Sequence, residues 1–293
     1  MSAQQNLVPN GSFEDYTTCP NNAGQVNYAN HWFDPTNSSS DYFNSCCSNG
    51  IAGIPSNLYG YKNAYDGNAM MGFGMYGGSA YPNDREYIAV KLTEKLDSNI
   101  SYCFSCYLSL AGSWKFACNG FGICLLDDTV GIYNYYLNTI NYSTSFIDNT
   151  IIKDTSIWEK IETRFINKKQ NARYLIIGNF YNDANITTSI INNTAFDISY
   201  YYIDKVALTK CEDILLQIPN VITANKDGVN DIFIIKDLLK NSVLSVFNRW
   251  GNLIYNSTNY QNDWQPSDIN AGTYYYILQT ETETYKGFLE IFK

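Results

Sequence analysis

The side chains in this sequence that could do chemistry are carboxylates, cysteines and aromatic rings. The 293 residues include a single histidine, His31, which makes a Ser-His-Asp triad or a multi-histidine metal centre hard to build. Carboxyl groups are the remaining acid–base candidates, and Asp41, Asp84 and Glu86 could supply the pair that cleaves a glycosidic bond. Because nothing in the sequence sets the separation of these groups, we expect a binding protein and keep glycan hydrolysis as an alternative.

Aromatic residues make up 16% of the chain and include 26 tyrosines, the compositional feature closest to a binding function. Flat rings can stack on the faces of sugar rings, while amides and charged groups bond the hydroxyls. We predict a ligand-binding set of aromatic and charged residues in loop-like or strand-edge contexts: Trp32, Asp41, Tyr42, Tyr61, Tyr76, Arg85, Glu86 and Trp114. Tyr59 and Tyr81 share these contexts. The alternative is structural, since tyrosine is favoured in strands and most of the tyrosines must pack or line the surface.

Eight cysteines in a Tyr/Asn/Gly-rich chain indicate an oxidising compartment with several disulfides. Zinc is the competing interpretation, because Cys103 and Cys106 have ligand-like spacing. That pair lies in a predicted strand, where residues three apart point to opposite faces about 10 Å from each other, too far to share one bond or one metal. The predicted disulfide candidates are Cys19 with Cys46 or Cys47, followed by Cys118 with Cys124.

Charge and hydropathy exclude several classes of protein. With 16% charged residues against 45% hydrophobic ones, the chain should fold, and its net charge of −9 makes nucleic acid an unexpected partner. No apolar run approaches the roughly 20 residues of a membrane-spanning helix. Residues 1–5 lack the charged start and apolar core of a signal peptide, and we interpret the sequence as the mature or recombinant form of an exported protein.

The elements that must position these residues are predicted to be short β-strands. Helical periodicity is scarce, whereas alternating or β-branched runs recur between clusters of Asn, Gly, Asp and Ser. The strands predicted before residue 214 are Tyr87–Leu92, Tyr102–Leu110, Gly120–Leu126, Ile132–Leu137, Trp158–Ile166, Tyr174–Phe180 and Tyr200–Leu208. This spacing favours an all-β fold, an antiparallel jelly-roll β-sandwich. In the stretch 21–82 we predict irregular functional loops held by cysteines.

A new series of strand-like runs begins after residue 213 and predicts two domains, a binding or adhesion domain over 1–213 and a smaller one over 214–293. The strand-like runs in the second part are Leu215–Val221, Val243–Asn248, Asn252–Tyr255, Gly272–Gln279 and Gly287–Phe292. Together with the turn-rich segments between them, they predict a small Ig-like β-sandwich of roughly seven strands.

The smaller domain contains four motifs: IPNVITANKDGVNDIF over 218–233, VFNRWGN over 246–252, AGTYYY over 271–276 and KGFLEIF over 286–292. In this order and spacing they resemble the gliding-motility-associated C-terminal domain family, with Ala224 where that family usually has proline. The resemblance assigns a sorting motif to Asn225, Asp227, Gly228, Asn230, Asp231, Arg249, Trp250, Gly251, Gly272, Lys286 and Gly287.

This resemblance implies a type B sorting signal of the bacterial type IX secretion system, which directs a folded cargo across the outer membrane to the cell surface. The implied partner is the outer-membrane machinery, and a small β module offers an exposed strand edge for pairing with it. Asp227 and Asp231 also stand at alternating oxygen positions with Asn225, as in calcium loops, so we predict them as metal ligands. The alternative is an Asx-turn hairpin without an ion.

The two ends of the larger domain, NLVPNGSFE over 6–14 and YYIDKVAL over 201–208, resemble the first and last strands of carbohydrate-binding-type (galactose-binding-like) jelly rolls. In that family the two strands run side by side and hold a structural calcium. The resemblance implies that Glu14 and Asp204 are calcium ligands, assisted by backbone carbonyls near Gly11 or Ser12. Since calcium takes six to eight oxygens, the alternative is that both acids are ordinary strand-end carboxylates.

The sequence therefore predicts a secreted, cell-surface-attached protein with an adhesin-like domain that binds glycans or surface proteins, followed by a sorting domain. Two alternatives stay open. One is a structural subunit of a surface assembly or motility adhesin complex, and the other is a glycan hydrolase.

Overall fold

The computed structural model describes residues 5–36, 38–79, 81–127, 145–193, 197–211, 216–238, 241–280 and 283–293. The chain divides into two compact units, Met1–Cys211 and Glu212–Lys293. The predicted strand Ile132–Leu137 lies outside the described residues, as does the first residue of the predicted strand Leu215–Val221. In the part of the chain that is described, no helix has the length and apolar character needed to cross a membrane.

The N-terminal unit is an antiparallel β-sandwich, which confirms the predicted jelly-roll fold class. Its strands are β1 (Trp32–Phe33), β2 (Asp41–Asn44), β3 (Ser56–Asn57), β4 (Gly60–Tyr61), β5 (Ala69–Tyr76), β6 (Tyr87–Leu96), β7 (Ser101–Leu110), β8 (Phe116–Cys118), β9 (Phe121–Leu126), β10 (Phe146–Asp148), β11 (Glu159–Ile166), β12 (Ala172–Asn179), β13 (Thr188–Ile190) and β14 (Ser199–Lys210). One sheet has the order β1-β6-β12-β9-β10, and the other has the order β11-β7-β14-β5-β2.

Alternation along the strands decides which side chains form the core. In β14, Tyr201 and Ile203 belong to the core between the sheets, whereas Tyr200 and Tyr202 pack on the opposite face in a second buried cluster. This is the period of two that a pleated strand imposes. Loops cover the second cluster, so the outer face of this sheet is also largely buried.

The stretch 21–82, predicted as irregular loops, contains β1 to β5, and that prediction was wrong. Strand β5 lies between β14 and β2 and is buried on both faces, so it shows no alternation of polar and apolar residues. Its glycines are packing sites: a Cβ at Gly72 would collide with the Tyr200 ring, and one at Gly74 would lie 3.3 Å from the Glu86 carboxylate. Glycine inside a strand marks such a close approach.

The segment 6–14 is not a regular strand, yet it runs beside β14 as the resemblance implied. The Leu7 N–H donates to the Leu208 carbonyl at 2.8 Å, and the Val206 N–H donates to the Gly11 carbonyl at 2.8 Å. The first and last segments of the unit are therefore joined by backbone hydrogen bonds.

The C-terminal unit is Ig-like in character, with one five-stranded sheet in its described residues. Its strands are β15 (Val221–Thr223), β16 (Val243–Asn248), β17 (Leu253–Ser257), β18 (Gly272–Gln279) and β19 (Thr284–Phe292), in the order β15-β19-β18-β16-β17. Phe233, Ile235, Tyr260 and Trp264, which lie outside the strands, bury one face of this sheet. The described residues of this unit contain five strands where roughly seven were expected, because this second layer is irregular chain.

Two disulfides are present, Cys19–Cys46 and Cys103–Cys211. Cys19 thus takes Cys46, one of the two partners that the sequence left open, and Cys47 is free. The predicted pairing of Cys118 with Cys124 was wrong, since both are free and buried. The reason is the alternation of the sheet: Cys118 belongs to the core between the sheets, whereas Cys124 lies in a separate cluster on the outer face of β9.

Candidate functional site

A pocket of about 220 Å³ opens at one end of the β11-β7-β14-β5-β2 sheet. Strand pairing assembles it: Tyr76 at the end of β5 faces Ser199 at the start of β14, and Leu110 at the end of β7 faces Tyr201. The residues that line the pocket are Ser39, Tyr59, Gly74, Tyr76, Gly77, Tyr81, Asp84, Arg85, Glu86, Trp114, Ile198 and Tyr200. The chain segments that leave these strand ends therefore converge on one concave surface.

Three carboxyl groups form the acidic part of the site, Asp84 and Glu86 in the lining and Asp41 behind it. Glu86 accepts hydrogen bonds from the Gly74 N–H and the Ser39 hydroxyl, both at 2.7 Å. Burial, together with the nearby Asp41 charge, raises the pKa of Glu86 to about 7. Asp41 is fully buried behind the pocket, accepts the Gly24 N–H at 2.6 Å and the Tyr200 hydroxyl, and has its pKa raised to about 6 by burial. Burial also raises the pKa of Asp84. Three acids with raised pKa values thus lie at one concave site, a feature typical of functional sites.

Aromatic rings form much of the pocket wall. Tyr59 stacks on Tyr200 with ring centroids 3.9 Å apart, and the Trp114 ring lies 5.7 Å from Tyr59. Tyr81 is 59% exposed, and Tyr76 is half-buried. The buried Tyr200 ring supports the wall, whereas the half-buried and exposed rings present aromatic surface to solvent.

Arg85 is the basic residue of the lining. Its side chain is 1% exposed, and its guanidinium pairs with Asp183 at 2.6 Å, donates to the Asp84 carbonyl at 2.6 Å and lies 5.5 Å from the Tyr76 ring centroid. The Arg85 Nε–H has no hydrogen-bond partner among the described residues. A buried donor without a partner is costly unless a bound group supplies an acceptor.

The structure brings together four of the eight predicted ligand-binding residues, Tyr76, Arg85, Glu86 and Trp114. Asp41 lies directly behind them, bonded to the lining residue Tyr200. Tyr61 is 74% exposed on β4 and is not part of the lining.

Trp32 and Tyr42 are core residues, so their predicted ligand-binding role was wrong. Trp32 is 2% exposed, meets the edge of Phe13 at 4.9 Å and donates its indole N–H to the Asn10 carbonyl at 2.9 Å. Tyr42 is fully buried, and its hydroxyl donates to the Phe13 carbonyl at 2.9 Å. Both lie on short strands whose inward side chains fill the sandwich.

Sequence reasoning missed Ser39, Gly74, Gly77, Ile198 and Tyr200 as site residues. Tyr200 was assigned to a strand, and nothing local distinguishes it from Tyr201 and Tyr202, which point elsewhere or lie outside the lining. The Gly74 signal was available in principle, since glycine in a strand marks a close approach.

The two predicted calcium ligands of the N-terminal unit, Glu14 and Asp204, hold one backbone segment. Asp204 accepts the N–H groups of residues 65 and 66 at 2.8 and 2.9 Å, and Glu14 accepts those of residues 68 and 69 at 2.8 and 2.9 Å. Burial raises the pKa of Asp204 to about 7. Within the described ranges, no three His, Cys, Asp or Glu side chains form a metal-binding group. A calcium ion here would therefore depend on backbone oxygens, and it stays a prediction.

In the C-terminal unit, Asp227 and Asp231 cap a turn. Asp231 accepts the N–H groups of Lys226 and Gly228, both at 2.8 Å, and Asp227 accepts the Val229 N–H at 2.8 Å. Asn225 in turn accepts the Asp227 N–H at 3.1 Å. This is the Asx-turn arrangement that the sequence left as the alternative to a calcium loop. The carboxylates of the described turn accept backbone N–H groups and, at Asp227, also the Asn225 side-chain amide at 2.9 Å.

The other predicted motif residues of this unit lie on turns and on one sheet face. Gly228, Asn230, Gly251 and Gly272 have positive φ, which suits tight turns. Trp250 is 73% exposed, with the Arg249 guanidinium 4.8 Å from its ring centroid. Arg249, Gly251, Lys286 and Gly287 line an open concavity with Phe247, Tyr275 and Phe288.

Residues 216–291 match the family model described as CHU_C type IX secretion signal domain. The C-terminal region carries a type IX secretion signal domain. This confirms the resemblance seen in the four motifs.

Solved structures similar to this chain include carbohydrate-binding and adhesin domains. The CBM22-1 xylan-binding domain of Xyn10C from Paenibacillus barcinonensis has 14% identity and a TM-score of 0.37, covering 71% of this chain and 96% of that domain. The CBM22-1-CBM22-2 tandem domain of the same protein has 11% identity and a TM-score of 0.40, covering 100% and 86%. The K2 cleaved adhesin domain of Lys-gingipain has 10% identity and a TM-score of 0.37, covering 68% and 96%. No curated protein matches the chain.

Proposed function

We propose that the N-terminal unit binds a glycan in the pocket at the end of the β11-β7-β14-β5-β2 sheet. The observation that carries this proposal is the convergence of Tyr76, Tyr81, Arg85, Glu86 and Trp114 on one concave surface. Aromatic rings that are exposed beside hydrogen-bonding side chains suit a ligand with flat apolar faces and a rim of hydroxyls, which is the chemistry of a sugar. The protein then acts as an adhesin, displayed on the cell surface after export.

The size of the pocket limits what it takes. Its volume of about 220 Å³ is below the roughly 300–1,000 Å³ of most small-molecule sites. A terminal sugar or a short segment of a chain fits this description better than a long polymer bound along its length.

A glycan array probed with the full chain tests the proposal. We expect selective binding that is weakened in Tyr81→Ala, because this ring is exposed in the lining and its loss removes stacking area. Tyr61→Ala is the matched control, since Tyr61 is even more exposed but lies outside the lining. A blank array with folded protein would refute glycan binding and leave a structural subunit of a surface assembly as the account to pursue.

Surface display is the second part of the proposal. Deleting residues 216–291 should leave the cargo in the periplasm, because the deleted residues are those that match the secretion signal domain. Immunodetection on intact and lysed cells distinguishes the two locations. Display of the truncated protein at the normal level would contradict this part alone.

Glycan hydrolysis is a second candidate, and the raised pKa of Glu86 is the observation that favours it. A carboxyl group that keeps its proton near neutral pH can act as a general acid. A second carboxyl group is needed, and Asp84 is the other acid of the lining, because both oxygens of Asp41 accept hydrogen bonds within the fold. Release of reducing ends from array-positive glycans, abolished by Glu86→Gln, would support hydrolysis over simple binding.

A further inference from the structure

The pocket has more carboxyl groups than basic groups available to pair with them. Three carboxyl groups, Asp41, Asp84 and Glu86, lie in or directly behind it. None of them forms a salt bridge among the described residues. The charge of another acid, Asp34, also acts on Glu86 and raises its pKa further.

The basic residues near the pocket already form salt bridges with other carboxylates. Arg85 is paired with Asp183 at 2.6 Å, and Lys115, which follows Trp114, is paired with Asp197 at 2.6 Å. Neither residue therefore contributes an uncompensated positive charge to the site.

The aromatic lining adds to the same electrostatic preference. The faces of Tyr and Trp rings carry negative potential and attract cations that lie over them. Tyr76, Tyr81 and Trp114 surround the space next to the Glu86 and Asp84 carboxylates. Rings and carboxylates together form a site that suits an ammonium group.

A second observation points to a hydroxyl or carbonyl on the same ligand. The Nε–H of Arg85 has no partner among the described residues, although the side chain is 1% exposed and lines the pocket. Since this donor needs an acceptor, a simple organic cation leaves it unsatisfied, whereas a sugar hydroxyl satisfies it.

We propose that the pocket selects a cationic sugar, an amino sugar with a free ammonium group, whose charge lies against Glu86 and Asp84 and whose hydroxyl accepts the Arg85 Nε–H. This deepens the proposed function and rests on the pocket being a glycan site. It specifies de-acetylated amino sugars over their neutral N-acetylated counterparts.

The test compares two probes with the same sugar backbone, whose nitrogen is a charged ammonium in one and a neutral acetamide in the other. Glucosamine tetramer and N-acetylglucosamine tetramer are titrated calorimetrically into the full chain, at a pH where the free amino groups are protonated. A hydrogen-bonded ion pair with a partly buried carboxylate should favour the glucosamine tetramer by about tenfold or more. Its affinity should fall with added salt, whereas that of a neutral sugar should not.

Variants assign the preference to the pocket. Glu86→Gln should reduce the ratio of the two affinities toward one, while Glu94→Gln, which changes an exposed residue of β6, should leave it unchanged. If Glu86→Gln does not fold, Asp84→Asn takes its place. The salt dependence measured on the wild-type chain needs no variant.

The outcomes separate the two proposals. Equal or tighter binding of the N-acetylated tetramer in the pocket would overturn cation selection while leaving glycan binding intact. Failure of both tetramers, with other neutral glycans bound and Tyr81→Ala impaired, would do the same. Failure of every glycan would remove both proposals.

Discussion

Replacing Glu86 with glutamine should change how the stability of the N-terminal unit depends on pH. In the folded protein, burial and the Asp41 charge raise the pKa of Glu86 from 4.5 to about 7. Well below pH 4.5 the side chain is protonated in both the folded and unfolded states, so there is no penalty. As the pH rises toward 7, the carboxyl group ionises first in the unfolded state. Folding must then either return a proton to it or bury a charge that water solvates better.

The size of this penalty follows from the two pKa values. At about 1.36 kcal/mol per pH unit, the full difference corresponds to about 3 kcal/mol of unfolding free energy. Because Glu86 is only half-buried at the mouth of the pocket, solvent screening reduces this to about 2 kcal/mol. Glutamine keeps an oxygen that accepts the Gly74 N–H and carries no charge at any pH. The unfolding free energy of Glu86→Gln, relative to that of wild type, should therefore rise by about 2 kcal/mol between about pH 5 and about pH 8.

Urea unfolding at both pH values, followed by tryptophan fluorescence with the disulfides intact, measures this difference. The substitution leaves the C-terminal unit, a separate compact unit, unchanged. Glu94→Gln, an exposed change on β6, serves as the control. The same pH dependence in wild type and Glu86→Gln would refute the electrostatic reasoning about the pocket.

Three further predictions concern the stability of the two units. Breaking Cys103–Cys211, which closes a loop of 108 residues, should lower the free energy of unfolding by about 5 kcal/mol. Breaking Cys19–Cys46, with its loop of 27, should lower it by about 3.5 kcal/mol. Chemical denaturation of the paired Cys→Ser variants ranks the two effects, and the reverse order would contradict the loop-length argument. If the N-terminal calcium prediction holds, EGTA should lower the melting temperature of the wild-type chain but not of Asp204→Asn, and a melting temperature indifferent to calcium and EGTA would refute it. Asp231→Ala should destabilise the C-terminal unit by about 1–3 kcal/mol, because the Lys226 and Gly228 N–H groups lose their acceptor, whereas unchanged urea unfolding would show that water replaces it.

The strands that alternate between buried and exposed faces could be predicted from the sequence. The predicted Val243–Asn248 and Gly272–Gln279 have the same bounds as β16 and β18, since both show the period of two that one buried face imposes. Strand β5 could not be predicted in this way, because burial on both faces removes the alternation and its glycines resemble turn residues.

The candidate site was predictable only where its residues are neighbours in the sequence. Arg85 and Glu86 adjoin each other and lie close to Tyr76, so an aromatic and charged cluster was visible there. Tyr200 and Trp114 reach the same pocket through pairing of β14 with β5 and β7, which depends on contacts far apart in the chain. Trp32 and Tyr42 show the converse: their residue types suit sugar binding, but the short strands β1 and β2 direct them into the core.

The most direct test of the central claim is calorimetric titration of the best array glycan into three full-length proteins: wild type, Tyr81→Ala and Tyr61→Ala. Binding in the pocket predicts that Tyr81→Ala loses about tenfold in affinity, in line with the 0.5–1.5 kcal/mol that an aromatic contact contributes beyond its buried area. Tyr61→Ala should bind as wild type does. Equal affinities in all three proteins would place the glycan elsewhere and contradict the assignment of this pocket as the binding site.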